Sequence, residues 1–347
     1  MKKIYIITVE KTLNYGAYLQ AYALYDITKQ YAEQVSLVKT HSRHPYQDTI
    51  KQIVKAFLKL DFKRVNYARQ LLKSYVQSWK KVKFSETNKI TKDDIVITGS
   101  DEIWNIHRKA CLENPIFFGE GIPTNNLIAY APSCNITTVE EFEKQPHLVQ
   151  ALTKYHCIGV RDKHTQEVIS HLVDQPITVV TDPTLLHPVT FYESIEQGKK
   201  LENYIVVYGD SNFTKEEIEE IKQFAKKENK KLIAPGLYQE WCDENIPVSP
   251  FEFLSLIHHA DYVITNSFHA CVFSTLYHKN FVAYCEKKKK VINFLEEMGL
   301  QNRDREQHGS LLEVIEEPID YEKVDRVVEK KRLDSLEFLR NTIKELE

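Results

Sequence analysis

The stretch Ala260–Tyr284 constrains the fold more than any other part of the chain. A short β-rich run from Tyr262 to Thr265 leads into the polar turn Asn266-Ser267-Phe268-His269. An apolar helix from Ala270 to Tyr277 and a further strand follow. Parallel strands need a crossover, usually a helix, so strand, helix and strand in this order point to a parallel sheet. The spacing places Asn266, Ser267 and His269 between the carboxyl end of one strand and the amino end of the next helix. Ligands of open α/β sheets bind in that crevice, where the free N–H groups of a helix start favour anions. A titratable His beside a hydroxyl there can hold a phosphate or carboxylate and can move a proton. A helix cap or a satisfied core contact is the plainer role open to the same residue.

The same alternation recurs along the chain. Strands are expected at Lys3–Val9, Gln34–Lys39, Asp94–Thr98, Leu127–Ala131, His156–Val160 and Thr178–Val180, with a helix at Ala17–Lys29 and others between. A second series starts near Asn203, with strands at Tyr204–Tyr208 and Lys231–Ala234. Its helices open on the capping patterns Thr214-Lys-Glu-Glu217 and Ser249-Pro250-Phe-Glu252. The periodicity breaks between His187 and Asn203, around Pro188 and Gly198, which predicts a domain boundary. The expected organisation is a first domain over residues 1–190, a second over 200–320 and a terminal helix over 321–347. At 347 residues the chain can build two such cores.

Composition sets further bounds. Hydrophobic content of 42% with 27% charge is that of a soluble globular protein. No run of about 18 apolar residues occurs, and the start passes from a short apolar stretch straight into charge, so a cytoplasmic chain is expected. Six widely spaced cysteines without a Cys-x-x-Cys argue against a disulfide framework or a zinc site. The net charge of −3 hides a basic region: between Lys51 and Lys92, twelve Lys or Arg stand against Asp61 and Glu86. Phe57, Leu58, Leu60, Phe62, Tyr67, Leu71 and Tyr75 are interleaved there at helical spacing. This predicts a basic helical insertion over about 45–90. Such a segment can lie peripherally on an anionic membrane or hold an acidic substrate, and a solvated face packed on the domain is the other reading. No nucleic-acid module accompanies it, so no nucleic-acid partner is expected.

Absent motifs narrow the chemistry. Gly119-Glu-Gly121 lacks the third glycine of a dinucleotide loop, and no Walker loop, His-Glu-x-x-His or Gly-x-Ser-x-Gly is present. No metal-ligand set is visible, and neither metal nor cofactor is expected. The informative residues follow predicted strands. Asn14 and Gly16 open the first helix. Gly99-Ser100-Asp101-Glu102-Ile103-Trp104-Asn105 follows the strand ending at Thr98. Arg161-Asp162 and Asp182-Pro183-Thr184 follow two more. Each alone reads as a cap or turn, but with the turn at His269 they make five such sites at strand ends, one Arg and one His among them.

These segments carry a resemblance. Asn14-Tyr-Gly-x-x-Leu-Gln-x-Tyr-Ala-Leu24, Gly99-Ser-Asp-x-Ile-Trp-Asn105, Val160-Arg-Asp162, Asp182-Pro-Thr-Leu-Leu186 and Asp261-x-Val-Ile-Thr-x-Ser-Phe-His269 occur in the order and spacing of the polysaccharide pyruvyl transferase family. The resemblance extends from Ile4 to about Arg303. It implies an α/β fold of two Rossmann-like domains, GT-B-like, with the basic helical insertion in the first domain and the active site between the domains. The implied reaction moves the pyruvyl group of phosphoenolpyruvate, a donor substrate rather than a cofactor, onto two hydroxyls of a sugar or lipid-linked saccharide acceptor. A pyruvate ketal forms and phosphate is released.

The residues suit that chemistry. Arg161 fits bidentate recognition of either donor anion, and His269 can act as general acid or bind the phosphate. Asn14, Gly16, Ser100, Asp101, Trp104, Asp182, Asn266 and Ser267 are the expected substrate-binding set. Family members often carry Arg-Leu-His where this chain has Ser267-Phe268-His269. One charge-assisted hydrogen bond, roughly 1.5–3 kcal/mol, must then come from elsewhere. Lys279, Arg303 and the run Lys287–Lys290 are the candidates. Two other classes fit the same pattern: a glycosyltransferase with a nucleotide-sugar donor, whose ribose Glu286 would read, and a non-catalytic sugar-binding protein of polysaccharide synthesis.

Overall fold

The structure is a computed structural model that describes residues 3–40, 46–198, 200–209, 213–286 and 288–346. Lys287 of the expected lysine run lies outside them. Short strands, the central ones apolar and buried on both faces, build two sheets. The first holds β1 (Ile4–Ile7), β2 (Val35–Val38), β3 (Phe84–Ser85), β4 (Ile95–Thr98), β5 (Leu127–Tyr130), β6 (Cys157–Val160) and β7 (Ile177–Val179). The second holds β8 (Tyr204–Tyr208), β9 (Lys231–Pro235), β10 (Glu244–Ile246), β11 (Tyr262–Thr265) and β12 (Phe281–Ala283). Strand order is β3-β2-β1-β4-β5-β6-β7 in one and β10-β9-β8-β11-β12 in the other. Every pair is parallel. Each order reverses once, at β1/β4 and at β8/β11, and such switch points open the crevices in which ligands of this architecture bind. The edge strands β3 and β10, of 2 and 3 residues, are too short to give a period-two signal in the sequence.

Helix α1 (Tyr15–Thr28) joins the halves. Twelve of its 14 residues are buried, as expected of a helix packed on all sides. Tyr15 stacks on Phe253 at 4.4 Å and on Tyr75 at 5.3 Å, and Tyr18 meets Trp79 and Phe251 edge-on. Residues of both sheets and of α1 therefore share one apolar core.

The basic insertion forms α2 (Gln47–Leu58) and α3 (Phe62–Ser78). Of the two sequence readings, a face packed on the body describes one side of α3, whose Tyr67, Leu71 and Tyr75 are buried. The Tyr67 hydroxyl donates to the Gly236 carbonyl at 3.0 Å, the Ser74 hydroxyl to that of Val248 at 3.2 Å, and Arg64 pairs with Glu240 at 3.2 Å. The insertion thus braces the second sheet, not only the domain that carries it. The terminal helix Tyr321–Glu345 runs back to the first sheet, where the Ser335 hydroxyl accepts from the Thr181 N–H at 2.9 Å. Among the described residues no helix is long and apolar enough to cross a membrane.

Candidate active site

Gly16 lies in the first turn of α1, and His269 in the first turn of the helix Phe268–Leu276 that follows β11. A Cβ built on Gly16 would sit 2.0 Å from His269 Nδ1 and 2.3 Å from its Cγ. The glycine is therefore required by the imidazole lying against α1, not by its backbone conformation, and this close approach brings the amino ends of two helices from different domains together. Gly16→Ala should displace the ring and destabilise the protein by about 1–3 kcal/mol, as overpacking generally does. Urea denaturation checks this. In a His269→Ala background the same substitution should cost much less, because the clashing ring is gone.

Asp182, after β7, divides its carboxylate between two tasks. Its Oδ1 accepts from the Thr184 N–H at 3.0 Å and from the Thr184 hydroxyl at 2.7 Å, which fixes the turn. Its Oδ2 faces Arg161 Nη1 at 3.4 Å and His269 Nε2 at 3.7 Å. The second distance is an ion-pair contact longer than a hydrogen bond. Burial opposes the Asp182 charge, but His269, Arg161 and the Thr184 N–H outweigh it and hold this carboxyl well below the usual carboxylate range. Arg161, at the end of β6, also reaches Asp101 Oδ1 at 3.6 Å and lies over the Phe268 ring at 5.2 Å. Burial works against the guanidinium, and Asp101, Asp182 and Glu102 more than restore its charge. Asp101 is likewise held low: burial is opposed by Arg161, Lys290 and His269.

The loop that presents Asp101 needs Gly99. Gly99 has φ +131°, and a Cβ there would meet the Tyr130 carbonyl oxygen at 1.9 Å. Asp101 itself takes φ 73° and is fixed by the Ser133 N–H donating to its carbonyl at 2.9 Å. Next to it, Glu102 Oε1 pairs with Lys290 Nζ at 3.1 Å, a link between the domains. Glu102, Arg161, Asp182, Phe268, Lys289 and Lys290 line a small cavity of about 60 Å3. Two buried nitrogens on residues that flank the Asp182 carboxylate, Arg161 Nη2 and His269 Nε2, make no hydrogen bond to the protein. Buried polar atoms normally have partners, so two unsatisfied donors or acceptors in one cleft mark a place built for a polar ligand.

The model of the family described as polysaccharide pyruvyl transferase matches residues 14–284. The chain belongs to the polysaccharide pyruvyl transferase family. The match runs from the cap of α1 past the strand β12 and so contains Gly16, Asp101, Arg161, Asp182 and His269. No curated protein sequence matches the chain. Among solved structures, trehalose-6-phosphate synthase OtsA superposes with TM-score 0.50 at 10% identity, covering 99% of each chain. UDP-N-acetylglucosamine 2-epimerase from Rickettsia bellii gives 0.49 at 11% identity, with 99% of this chain and 98% of that one covered. The UDP-GlcNAc 2-epimerase of Methanocaldococcus jannaschii, in complex with UDP-GlcNAc and UDP, gives 0.48 at 10% identity over 95% and 99%. At such identities the likeness concerns the fold alone: two Rossmann-like domains in a GT-B-like arrangement.

Not every residue expected from the sequence reaches this cleft. Asn14 caps α1, its side chain accepting from the Ala17 N–H at 2.9 Å, and lines a second, larger cavity on the other side of Tyr15. Ser100 is fully buried, bonded through its hydroxyl to Gln20 and through its carbonyl to Thr8, so it ties β4 to α1 and does not face the cleft. Trp104 is a core residue: its indole N–H donates to the Phe117 carbonyl at 2.9 Å and its ring packs on Phe118 and Tyr155. Lys279 and Arg303 are at the wrong edge. Both adjoin the amino end of β12, where the Lys279 ammonium donates to the His258 carbonyl at 2.9 Å and Arg303 Nη2 to that of Glu317 at 2.9 Å. Of the candidate cations, Lys289 and Lys290 line the same cavity as Arg161, and Lys288 donates to the Asn266 carbonyl at 2.8 Å, fixing the turn before His269. Asn266 and Ser267 are buried in that turn, and Glu286 is exposed beyond β12.

The sequence reading passed over Glu102 and Phe268. Their signal is position alone, since each stands beside a motif residue and ends up orienting Lys290 or Arg161. Among the described residues, one group has ligand chemistry suited to a metal: Glu196, His258 and His259. It lies at the amino edge of the second sheet, away from Arg161, with His258 Nδ1 already 3.0 Å from Glu196 Oε2.

Proposed function

We propose that this pyruvyl transferase family member moves the pyruvyl group of phosphoenolpyruvate onto two hydroxyls of a sugar in a cell-surface polysaccharide or its precursor. The observation that supports this reading best is the pair of buried, unsatisfied nitrogens of Arg161 and His269 beside one carboxylate. The donor brings a carboxylate and a phosphate, and Arg161 Nη2 has a free edge for either. A proton delivered to the methylene carbon by His269 makes the adjacent carbon electrophilic. One acceptor hydroxyl adds there. The second hydroxyl then displaces phosphate; one hydroxyl proton returns to His269 and the other leaves with the phosphate.

Charge limits where the donor sits. Asp101, Glu102 and Asp182 balance Arg161, Lys290 and a protonated His269, so the cluster has no surplus positive charge for an anionic donor. The surplus comes from Lys289, which lines the same cavity, and from the N–H groups opening the helix Phe268–Leu276. The Phe268 ring lies 5.2 Å from the Arg161 guanidinium carbon and helps to hold it in place.

The test is direct. Phosphoenolpyruvate should raise the melting temperature, with about 2.7 kcal/mol of stabilisation at 100 times Kd, whereas nucleotide sugars should leave it unchanged. With an acceptor glycan, phosphate release should accompany a mass gain on the glycan equal to a pyruvate ketal. Stabilisation by a nucleotide sugar and none by phosphoenolpyruvate would assign the protein to glycosyl transfer instead.

A further inference from the structure

The helical insertion presents an apolar surface that the other described residues leave exposed. Ile50, Val54, Phe57 and Leu58 of α2, with Leu60 and Phe62 of the turn into α3, are between 48% and 77% exposed. At about 100° per residue, the four on α2 fall within about 100° of its circumference. Ala56 on the opposite side is buried and lines the larger cavity. A clustered patch of this size, unlike scattered surface Leu or Ile, marks an interaction surface. Lys55, Lys59 and Lys63 border it, and all three are exposed. Apolar residues on one face with lysines on the flank are what a helix lying in the headgroup region of a bilayer requires.

The other side of α2 supplies an independent reason for a membrane at this position. A cavity of about 750 Å3 opens between the insertion and the carboxyl ends of β8 and β9. Lys55, Lys59 and Arg64 line it together with Tyr67, Tyr208 and Tyr238. Tyr67 and Tyr238 meet edge-on at 5.1 Å, and Arg64 lies over Tyr238 at 4.8 Å. Aromatic faces with cations beside them suit a saccharide carrying phosphate. Lys55 and Lys59 therefore border both the apolar patch and the cavity mouth.

We propose that α2 and the α2–α3 turn dock this protein on the surface of an anionic lipid bilayer, with Phe57, Leu58, Leu60 and Phe62 in the headgroup region. The larger cavity then faces the lipid surface, where the saccharide of a lipid-linked acceptor would be held. The acceptor clause rests on the proposed function; the docking itself does not. Sedimentation with vesicles tests it. The full chain should bind vesicles containing phosphatidylglycerol, bind phosphatidylcholine vesicles weakly, and lose affinity as salt rises. Phe57→Ser combined with Leu58→Ser and Leu60→Ser should reduce binding at least about tenfold, since affinity scales with the apolar area inserted. Melting temperature and phosphoenolpyruvate binding should be unaltered, because none of the three lines either cavity. Lys59→Gln with Lys63→Gln should weaken binding about fivefold per lysine at low salt. Equal binding of both vesicle types, or binding indifferent to the serine substitutions, overturns the proposal. So does self-association in solution that the serine substitutions abolish, which would make the patch an interface between two copies. Loss of phosphoenolpyruvate turnover with vesicle binding intact would count against the proposed function and leave the docking standing.

Discussion

His269→Ala should slow ketal formation from phosphoenolpyruvate by 10²- to 10⁴-fold, the usual contribution of a general acid or base. The ring is suited to that role by position. Its Nδ1 edge lies against Gly16, so the side chain has little room to move, and its Nε2 is buried beside Asp182 without a hydrogen bond. Asp182 Oδ2 lies 3.7 Å from that nitrogen. If His269 delivers the proton to the methylene carbon, kcat falls and KM for the donor changes little. If it only binds phosphate, KM rises instead. Steady-state kinetics at fixed acceptor separate the two, and a loss below tenfold in kcat would remove His269 from the chemistry. Gly16→Ala offers a second measure: by pushing the ring away, it should reproduce part of the kcat loss while every ionisable group remains.

The sheets were legible in the sequence because buried parallel strands read as continuous apolar runs, and Ile95–Thr98 or Tyr204–Tyr208 have few other interpretations. So were the turns after them, since a ligand crevice at strand ends collects Gly, Asp, Arg and His whatever the fold's details. The direction in which each side chain points was not legible. Ser100, Asp101 and Glu102 are consecutive, yet the first faces α1, the second Arg161 and the third Lys290. That divergence depends on the left-handed turn at Asp101 and on partners more than 50 residues away. Trp104 shows the same limit: an indole beside a motif looks like a binding platform until the Phe117 carbonyl takes its N–H. Lys279 and Arg303 were assigned to the cleft for their charge, and charge says nothing about which edge of a sheet a residue occupies. Gly16 was read as a helix entry; that it makes room for a ring 253 positions later is a property of two domains together.

Removal of Asp182 should be the most destabilising single change at the site. Asp182→Ala deletes a partner of buried Arg161, exposes His269 Nε2 to an apolar void and frees Thr184 from its turn. An uncompensated buried charge of this kind costs about 3–5 kcal/mol. Asp182→Asn should cost less, because an amide oxygen can still accept from Thr184 while the charge is lost; the difference between the variants measures the turn, and the cost they share measures the ion pair. The pH dependence has a definite sign. The carboxyl is held below its ordinary value of about 4 in the folded state. Its stabilising contribution is therefore complete above about pH 4 and is lost as pH falls from there through the folded titration. The gap in unfolding free energy between the wild-type chain and Asp182→Asn should accordingly be widest near neutrality and narrow on acidification below pH 4. A gap constant across that range would show that the contacts of the Asp182 carboxylate with Arg161 and His269 contribute no net stability.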